Sequence, residues 1–300
     1  MFVYTIHDMD EMERARLALE GLSVGDAFGE QFLHAGPAAR SMRSAARSAP
    51  TERRWMWTDD TAMALSIVEV LAAHAGIDEA ALARAFARRY VLEPARGYGS
   101  GAHKVLAAIA QGEPYTTAAK ALFDGQGSCG NGGGMRAAPI GAYFAGDLAA
   151  TIEHATRSAR PTHVHPDGIA GAVAVAVAAA LVFAGERSPA AILDAVVTAT
   201  PPGPTHDGLR RALKLLRAEP ITVAAELGNG SRVLAADTVP FAVWCAATHL
   251  DDYAGALWAC TDVGGDIDTT CAMVGGIIVG ATGLAAIPPE WRASREPLVT

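Results

Sequence analysis

The chain is short of the residues that mark several common classes of protein. Four cysteines occur in 300 residues, Cys129, Cys245, Cys260 and Cys271. They form no C-x-x-C pair and no zinc-ribbon spacing, so they read as reduced thiols and not as a disulfide frame or a structural zinc site. Positive charge is also scarce: 24 Lys and Arg stand against 32 Asp and Glu, a formal net charge of −8. That balance argues against nucleic acid as a main partner held through its phosphates. The arginine-rich run RSMRSAARSAPTERR (40–54) is a local exception and reads as a solvated loop. The N-terminal MFVYTIHDMDEMERAR has neither the basic nor the apolar region of a signal peptide, so the cytoplasm is the expected compartment and a monomer the default state.

Two runs lack charge altogether, GIAGAVAVAVAAALVFAG (168–185) and TTCAMVGGIIVGATGLAAI (269–287). Both approach the length of a membrane span. The first is mostly alanine and valine, the second is thinned by glycine, and neither has a basic flank on one side. Both read as buried helices of a soluble core, with no membrane partner.

Strand-like alternation is almost absent. Apolar residues instead recur at intervals of three and four, as in TAMALSIVEVLAAHAG (61–76), EAALARAFARRYVLE (79–93) and GAHKVLAAIAQG (101–112). Further helices are expected at 116–123, 134–144, 147–158, 167–185, 189–199, 206–218, 239–249, 251–260 and 269–283. Glycine- and proline-rich turns separate them. The fold class is therefore all-α. With 51% hydrophobic residues, no linker and no repeat, residues 1–300 read as a single domain of ten or more helices.

Polar residues out of place in so apolar a chain collect in five stretches. In GLSVGDAFGEQF (21–32), Gly25, Asp26 and Gly29 follow a helical segment and Glu30 comes close behind. Alone, this reads as an aspartate closing a helix end beside a glycine. In WMWTDDTAMALSIVEVL (55–71), Thr58, Asp59, Asp60 and Thr61 open an amphipathic helix. Capping needs one such residue, whereas adjacent carboxylates on a first turn point about 100° apart and can address two neighbouring ions. In VGGDIDTT (263–270), Asp266 and Asp268 precede Thr269 and Thr270 at the head of an apolar helix. An extended 266–268 segment would aim both carboxylates one way. Burying them is costly unless partners or a metal compensate.

Thr58, Asp59, Asp60, Asp266, Asp268 and Thr269 make an all-oxygen set without histidine or thiolate, the preference of hard cations. Four carboxylates carry about four negative charges, which two divalent ions would neutralise. Two Mg²⁺ or Mn²⁺ ions are the expected cofactors, since zinc favours nitrogen or sulfur.

The fourth stretch, GQGSCGNGGGMRAAPIGAYF (125–144), is glycine-rich and then reads as helical from about Met135. Backbone amides and a helix N-terminus would suit a pyrophosphate; a flexible surface loop is the other reading. The fifth, RPTHVHPDG (160–168), offers His163 and His165 for capping or for hydrogen bonds to a ligand. No G-x-S-x-G elbow suggests a covalent nucleophile.

The order GLSVGDAFG, WTDDTAM, GSCGNGGGMRAAPIG, THVHPDGIAGA and GGDIDTTCAMVGGIIVGATG resembles the ADP-ribosylglycohydrolase family across about residues 15–285. The resemblance implies a compact orthogonal helical bundle with a two-metal cleft. It implies hydrolysis of an N- or O-glycosidic bond at the anomeric carbon of ADP-ribose, carried by a modified protein or a small-molecule conjugate. The family's metal ligands fall on the six residues above, with Asp59 or Asp60 also serving as the carboxylate that takes a proton. Ser128, Gly130, Asn131, Gly132 and Gly133 would surround pyrophosphate and ribose, with Met135 near the ligand and His163 beside ADP-ribose. Arg136 would be the buried partner of an acid.

The chain departs from the family pattern in three places. A glutamate commonly found seven residues after the first-motif aspartate is Leu33, leaving Glu30 as the nearest acid. Ile267 fills the middle of GGDIDT, where the usual side chain is not a ligand. Gly97 stands where members acting on arginine linkages carry an acid. A non-catalytic ADP-ribose-binding or structural protein on the same fold is the alternative. An isoprenoid-synthase-like enzyme would want D-D-x-x-D, which DDTAM breaks at Met63.

Overall fold

The computed structural model describes residues 6–33 and 35–298; the remaining residues of the 1–300 single-domain reading, 1–5, 34 and 299–300, lie outside it. It contains 17 α-helices and, among the described residues, no strand. In chain order they are α1 Glu11–Leu33, α2 Pro37–Ala45, α3 Asp59–His74, α4 Glu79–Leu92, α5 Ser100–Ala110, α6 Tyr115–Lys120, α7 Gly132–Met135, α8 Ala138–Tyr143 and α9 Leu148–Ala159. The rest are α10 Pro166–Phe183, α11 Pro189–Ala199, α12 Pro204–Ala212, α13 Pro220–Leu227, α14 Ala235–Thr248, α15 Tyr253–Val263, α16 Ile267–Thr282 and α17 Pro289–Ser294.

Local chemistry sets many of these starts. Asp78, Asp147, Ser188 and Asp252 accept a backbone N–H from the first turn of α4, α9, α11 and α15. Proline opens α2, α10, α11, α12, α13 and α17, where its missing N–H is one of the unpaired donors anyway.

Several expected boundaries shift. The arginine run is not all loop, because α2 occupies Pro37–Ala45. Residues 134–144 divide into α7 and α8, while α13 and α17 add helices too short for a period to declare itself. The first motif does not close a helix: α1 runs on through Leu33.

The alanine- and valine-rich α10 is the central element. It packs against α8, α9, α7, α16, α14 and α11, and Ala172–Ala180 are fully buried. It is long and apolar enough to cross a membrane by length and composition, yet 83% of it is buried inside the protein. Beside it, α1 and α16 form the most extensive helix pair. Gly21 lies against Gly275 and Val279, Gly25 against Cys271, and Gly29 against Ile267 and Asp268, so the two helices run antiparallel. A β-carbon at Gly29 would sit 2.5 Å from the Asp268 Cα, so the backbones approach as closely as the absence of side chains allows.

An aromatic cluster closes one end of this pair. Phe28 stacks on Trp291 with ring centroids 4.3 Å apart and meets Trp258 edge-on. Trp55 completes the cluster, its amide donating to the Ser294 carbonyl at 2.8 Å. The segment leading into α3 is thereby fixed to α1 and to the C-terminal α17.

Candidate metal centre

The two acidic motifs meet at helix N-termini. Thr58 caps α3 in an extended conformation, its hydroxyl oxygen accepting the Asp60 amide at 3.3 Å. Asp266 is the residue before α16, and Asp268 already lies in its first turn. Residues 266–268 are therefore not an extended segment, because Ile267 and Asp268 already belong to α16, yet the two carboxylates stay close enough to share a hydrogen bond. Helix formation turns Asp268 inward while Asp266 stays half-exposed.

A further carboxylate, Asp26, joins the acids of the two motifs. One oxygen from each of Asp26, Asp60 and Asp268 lies within 4.8 Å of the others, and all three residues are buried. Asp26 reaches this position from the middle of α1. It accepts the Thr58 amide at 2.9 Å, the Thr58 hydroxyl at 2.9 Å, the Thr61 amide at 3.1 Å and the Thr61 hydroxyl at 2.5 Å. Its carboxylate thus docks the first turn of α3 onto α1. The pointer in the sequence is the spacing of Gly21, Gly25 and Gly29, which marks α1 as a closely packed helix and not a helix end.

Threonines knit the other acids together. Thr58 Oγ1 also lies 2.9 Å from Asp60 Oδ2, and Thr269 Oγ1 donates to the same oxygen at 3.4 Å. Asn131 donates from Nδ2 to Asp266 Oδ2 at 2.6 Å and to Thr238 Oγ1 at 3.1 Å. The Asp59 amide donates to the Arg96 carbonyl at 2.7 Å, and a β-carbon at Gly97 would lie 3.8 Å from Asp59 Oδ1. Gly97 therefore faces the centre. The Arg96 guanidinium lies 3.5 Å from the Trp57 ring centroid and pairs with Glu93 and Glu296, so the 94–98 loop is braced on both sides.

The electrostatics are those of a buried cluster of like charges. Burial, opposed by its hydrogen bonds, pushes Asp26 up to about 6. Burial and then the Asp26 charge push Asp59 up to about 7. Asp60 and Asp268 are raised well above the usual carboxylate range, first by burial and then by neighbouring aspartates, and Asp266 is raised by burial. Asp60 Oδ1 and Asp268 Oδ1 are buried without any hydrogen-bond partner. Two orphaned carboxylate oxygens among an all-oxygen donor set fit a hard divalent cation.

The glycine-rich stretch reaches this centre through Asn131. The Gly130 amide donates to Ser128 Oγ at 3.1 Å, and Asn131 N to the Val233 carbonyl at 3.2 Å. Gly130 and Gly132 border His163, whose Cε1 would be 3.1 Å from a β-carbon at Gly132. Gly133 does something else: a β-carbon there would sit 2.9 Å from the Gly168 carbonyl, so it lets α7 pack on α10. Met135 is 5% exposed, with its sulfur close to Gly132. The expected helix dipole is weak, because α7 is four residues long.

His163 is buried, its Nδ1 2.7 Å from Thr162 Oγ1, and burial with the nearby Arg136 charge pushes it down to about 3. His165 caps α10, accepting the Asp167 amide at 3.1 Å. Arg136 is 1% exposed, and its partners correct the expected ion pair. It donates to the Ser158 carbonyl and Thr162 Oγ1 and lies 4.5 Å from the Phe86 ring centroid, with no carboxylate in salt-bridge range among the described residues. Its charge still acts on Asp59 and Asp60, and burial lowers it to about 9.

Glu30 lies one turn beyond Asp26 on the same stripe of α1, and Leu33 one turn further. Glu30 is not one of the three converging acids. It borders a separate cavity with Arg43, Arg53 and Arg54.

Comparison with known proteins agrees with this geometry. The sequence profile of ADP-ribosylglycohydrolase matches residues 7–298. ADP-ribosylhydrolase ARH3 of Bos taurus and of Homo sapiens are each 31% identical over 273 residues, covering 80% of this chain and 74% of theirs. A solved ADP-ribosylglycohydrolase-related protein complex superposes with a TM-score of 0.67 at 26% identity, covering 96% of this chain and 93% of that one. Family profile, relatives and fold coincide over nearly the whole length, and the chain belongs to the ADP-ribosylglycohydrolase family.

Proposed function

We propose that the protein is a metal-dependent hydrolase that cleaves the glycosidic bond between ADP-ribose and an acceptor, a modified protein side chain or a small molecule. The observation that carries this reading is the convergence of Asp26, Asp60 and Asp268 with two unpartnered carboxylate oxygens. Thr58, Asp59, Asp60, Asp266, Asp268 and Thr269 would hold two divalent ions, Mg²⁺ or Mn²⁺. Bound there, the ions would supply electrostatic grip on ribose hydroxyls and acidify a water.

The chain's own residues do the rest. Asp26 accepts from both threonines of the α3 first turn and so fixes the direction of Asp59 and Asp60. Asn131 holds Asp266 from the ligand side. Ser128, Gly130, Asn131, Gly132 and Met135 would line the ADP-ribose, with Gly133 supporting them from beneath. His163 stays neutral and so can present a hydrogen bond without repelling or binding a proton. A water attacks the anomeric carbon as the bond to the acceptor breaks. Asp59, partly buried at the head of α3, would take the water's proton, which ends on the departing acceptor; Glu30, one turn beyond Asp26, is the other candidate acid. Activity in the cytoplasm by a monomer belongs to the same proposal.

The second reading is a protein on this fold that binds ADP-ribose without turning it over, and Leu33 on the stripe of Asp26 is the observation favouring it. A panel of defined ADP-ribosyl linkages incubated with Mg²⁺ or Mn²⁺ separates the two. Release of ADP-ribose that is lost in Asp266→Ala supports the hydrolase. Tight ADP-ribose binding by calorimetry with no release on any linkage supports the binder.

A further inference from the structure

A cavity built on the same two segments as the acid centre, α1 and the approach to α3, has three arginines and one glutamate on its walls. It encloses about 450 Å³ and is walled by Glu30, Gln31, Arg43, Arg53, Arg54 and Met56. Two of its walls belong to the segments that carry the centre: Glu30 is one turn past Asp26 on α1, and Met56 is two residues before Thr58. A further arginine, Arg40 on α2, lies over the loop before α16, where its Nη2 would be 2.9 Å from a β-carbon at Gly264. Arg43 has a loose partner in Glu52 at 4.0 Å. Arg53 and Arg54 are exposed and have no carboxylate partner among the described residues.

In a chain of net charge −8, several arginines gathered at one opening make a local positive field directed at an anion. Guanidinium groups match phosphate and carboxylate oxygens in a fork geometry that lysine lacks. Arg53 and Arg54 are exposed and line this cavity, and on their other side they border a second opening with Glu52 and Glu290. The glycine-rich stretch touches the centre elsewhere, at Asp266 through Asn131. ADP-ribose entering by that side leaves the Glu30 and Met56 side for the acceptor.

We infer that the arginine-lined cavity receives an acidic group of the acceptor, a phosphate or a carboxylate carried close to the scissile linkage. This rests on the hydrolase reading for the meaning of "acceptor", though the anion site itself does not. The protein would then select among ADP-ribosylated targets by the charge beside the modification, without touching the ADP-ribose more tightly. Salt would weaken the selection, because Arg53 and Arg54 are exposed to solvent.

The test uses the full chain and two peptides with the same ADP-ribosyl linkage, one flanked by phosphoserine and glutamate, the other by serine and glutamine. The ratio of their kcat/KM values is read for wild type and for Arg53→Ala/Arg54→Ala, and calorimetry gives the affinity of each for ADP-ribose. The expected wild-type ratio is about tenfold in favour of the acidic peptide, collapsing toward one in the variant while ADP-ribose affinity stays within about twofold. An unchanged ratio overturns the inference. So does a parallel fall in ADP-ribose affinity, which would assign the arginines to its pyrophosphate. Fluorescence anisotropy with the unmodified acidic peptides gives a readout independent of turnover. Binding weakened by the double variant upholds the cavity even if no linkage is cleaved, and equal binding in both proteins sinks it. A phosphoserine-only and a glutamate-only peptide tell which acid is preferred.

Discussion

Asp26 accepts from two backbone amides and two hydroxyls, so its replacement tests how far the site depends on the carboxylate that docks α3 onto α1. In Asp26→Asn one oxygen becomes a donor facing donors. The substitution is expected to destabilise the fold by about 2–3 kcal/mol, as a buried charged acceptor lost from paired donors does, and to lower activity at least tenfold in the protein that remains folded. Urea unfolding and hydrolysis rates measure the two effects separately; stability and activity both at wild-type levels would contradict the docking role. His163 makes a prediction in pH. Its folded value of about 3 lies below the ordinary 6.5, so below pH 6.5 the unfolded chain gains a proton that the folded one refuses. The stability it supports is complete above about 6.5 and is lost as pH falls toward 3, at up to about 1.4 kcal/mol per pH unit. Against His163→Gln, the wild type should therefore lose ground between pH 6.5 and 4. Parallel stability curves would show that the imidazole is not held neutral.

The α1 and α16 pair makes the centre an outcome of helix packing. Gly25 meets the Cys271 carbonyl, so Gly25→Ala forces the helices apart at the level of Asp26 and Asp268. Gly141 meets the Ala176 carbonyl on the α8 and α10 contact, well away from the acids. Both alanine variants are expected to lose about 2 kcal/mol or more, but only Gly25→Ala should also weaken Mn²⁺ binding in the folded protein. Thermal melts and metal titration on the two variants check this, and equal metal affinity in both would detach the centre from the helix pair. The same packing explains what the sequence could disclose. The acids of α3 and α16 were legible because each pair stands together at the head of an apolar helix. Asp26 was not, since it is a single acid inside a helix and its meaning comes from residues 32 and 35 positions away. Arg136 differs from expectation for a related reason: a buried cation implies partners, and here they are a carbonyl, a hydroxyl, the Met63 sulfur and a ring.

Across the whole molecule, supports for the centre arrive from distant parts of the chain. Glu296 near the C-terminus braces Arg96 beside Asp59, and Trp291 stacks on Phe28 of α1. The all-α class and most helices followed from periodicity, whereas α2, α13 and α17 are too short for it and owe their starts to proline. Five buried or half-buried aspartates held this way should gain more from cations than from protons. Isothermal titration of Mn²⁺ into chelator-treated protein is the most direct measurement. Saturable uptake of about two ions per chain is expected, sharply reduced in Asp60→Asn. No saturable uptake, or equal uptake by that variant, would contradict it.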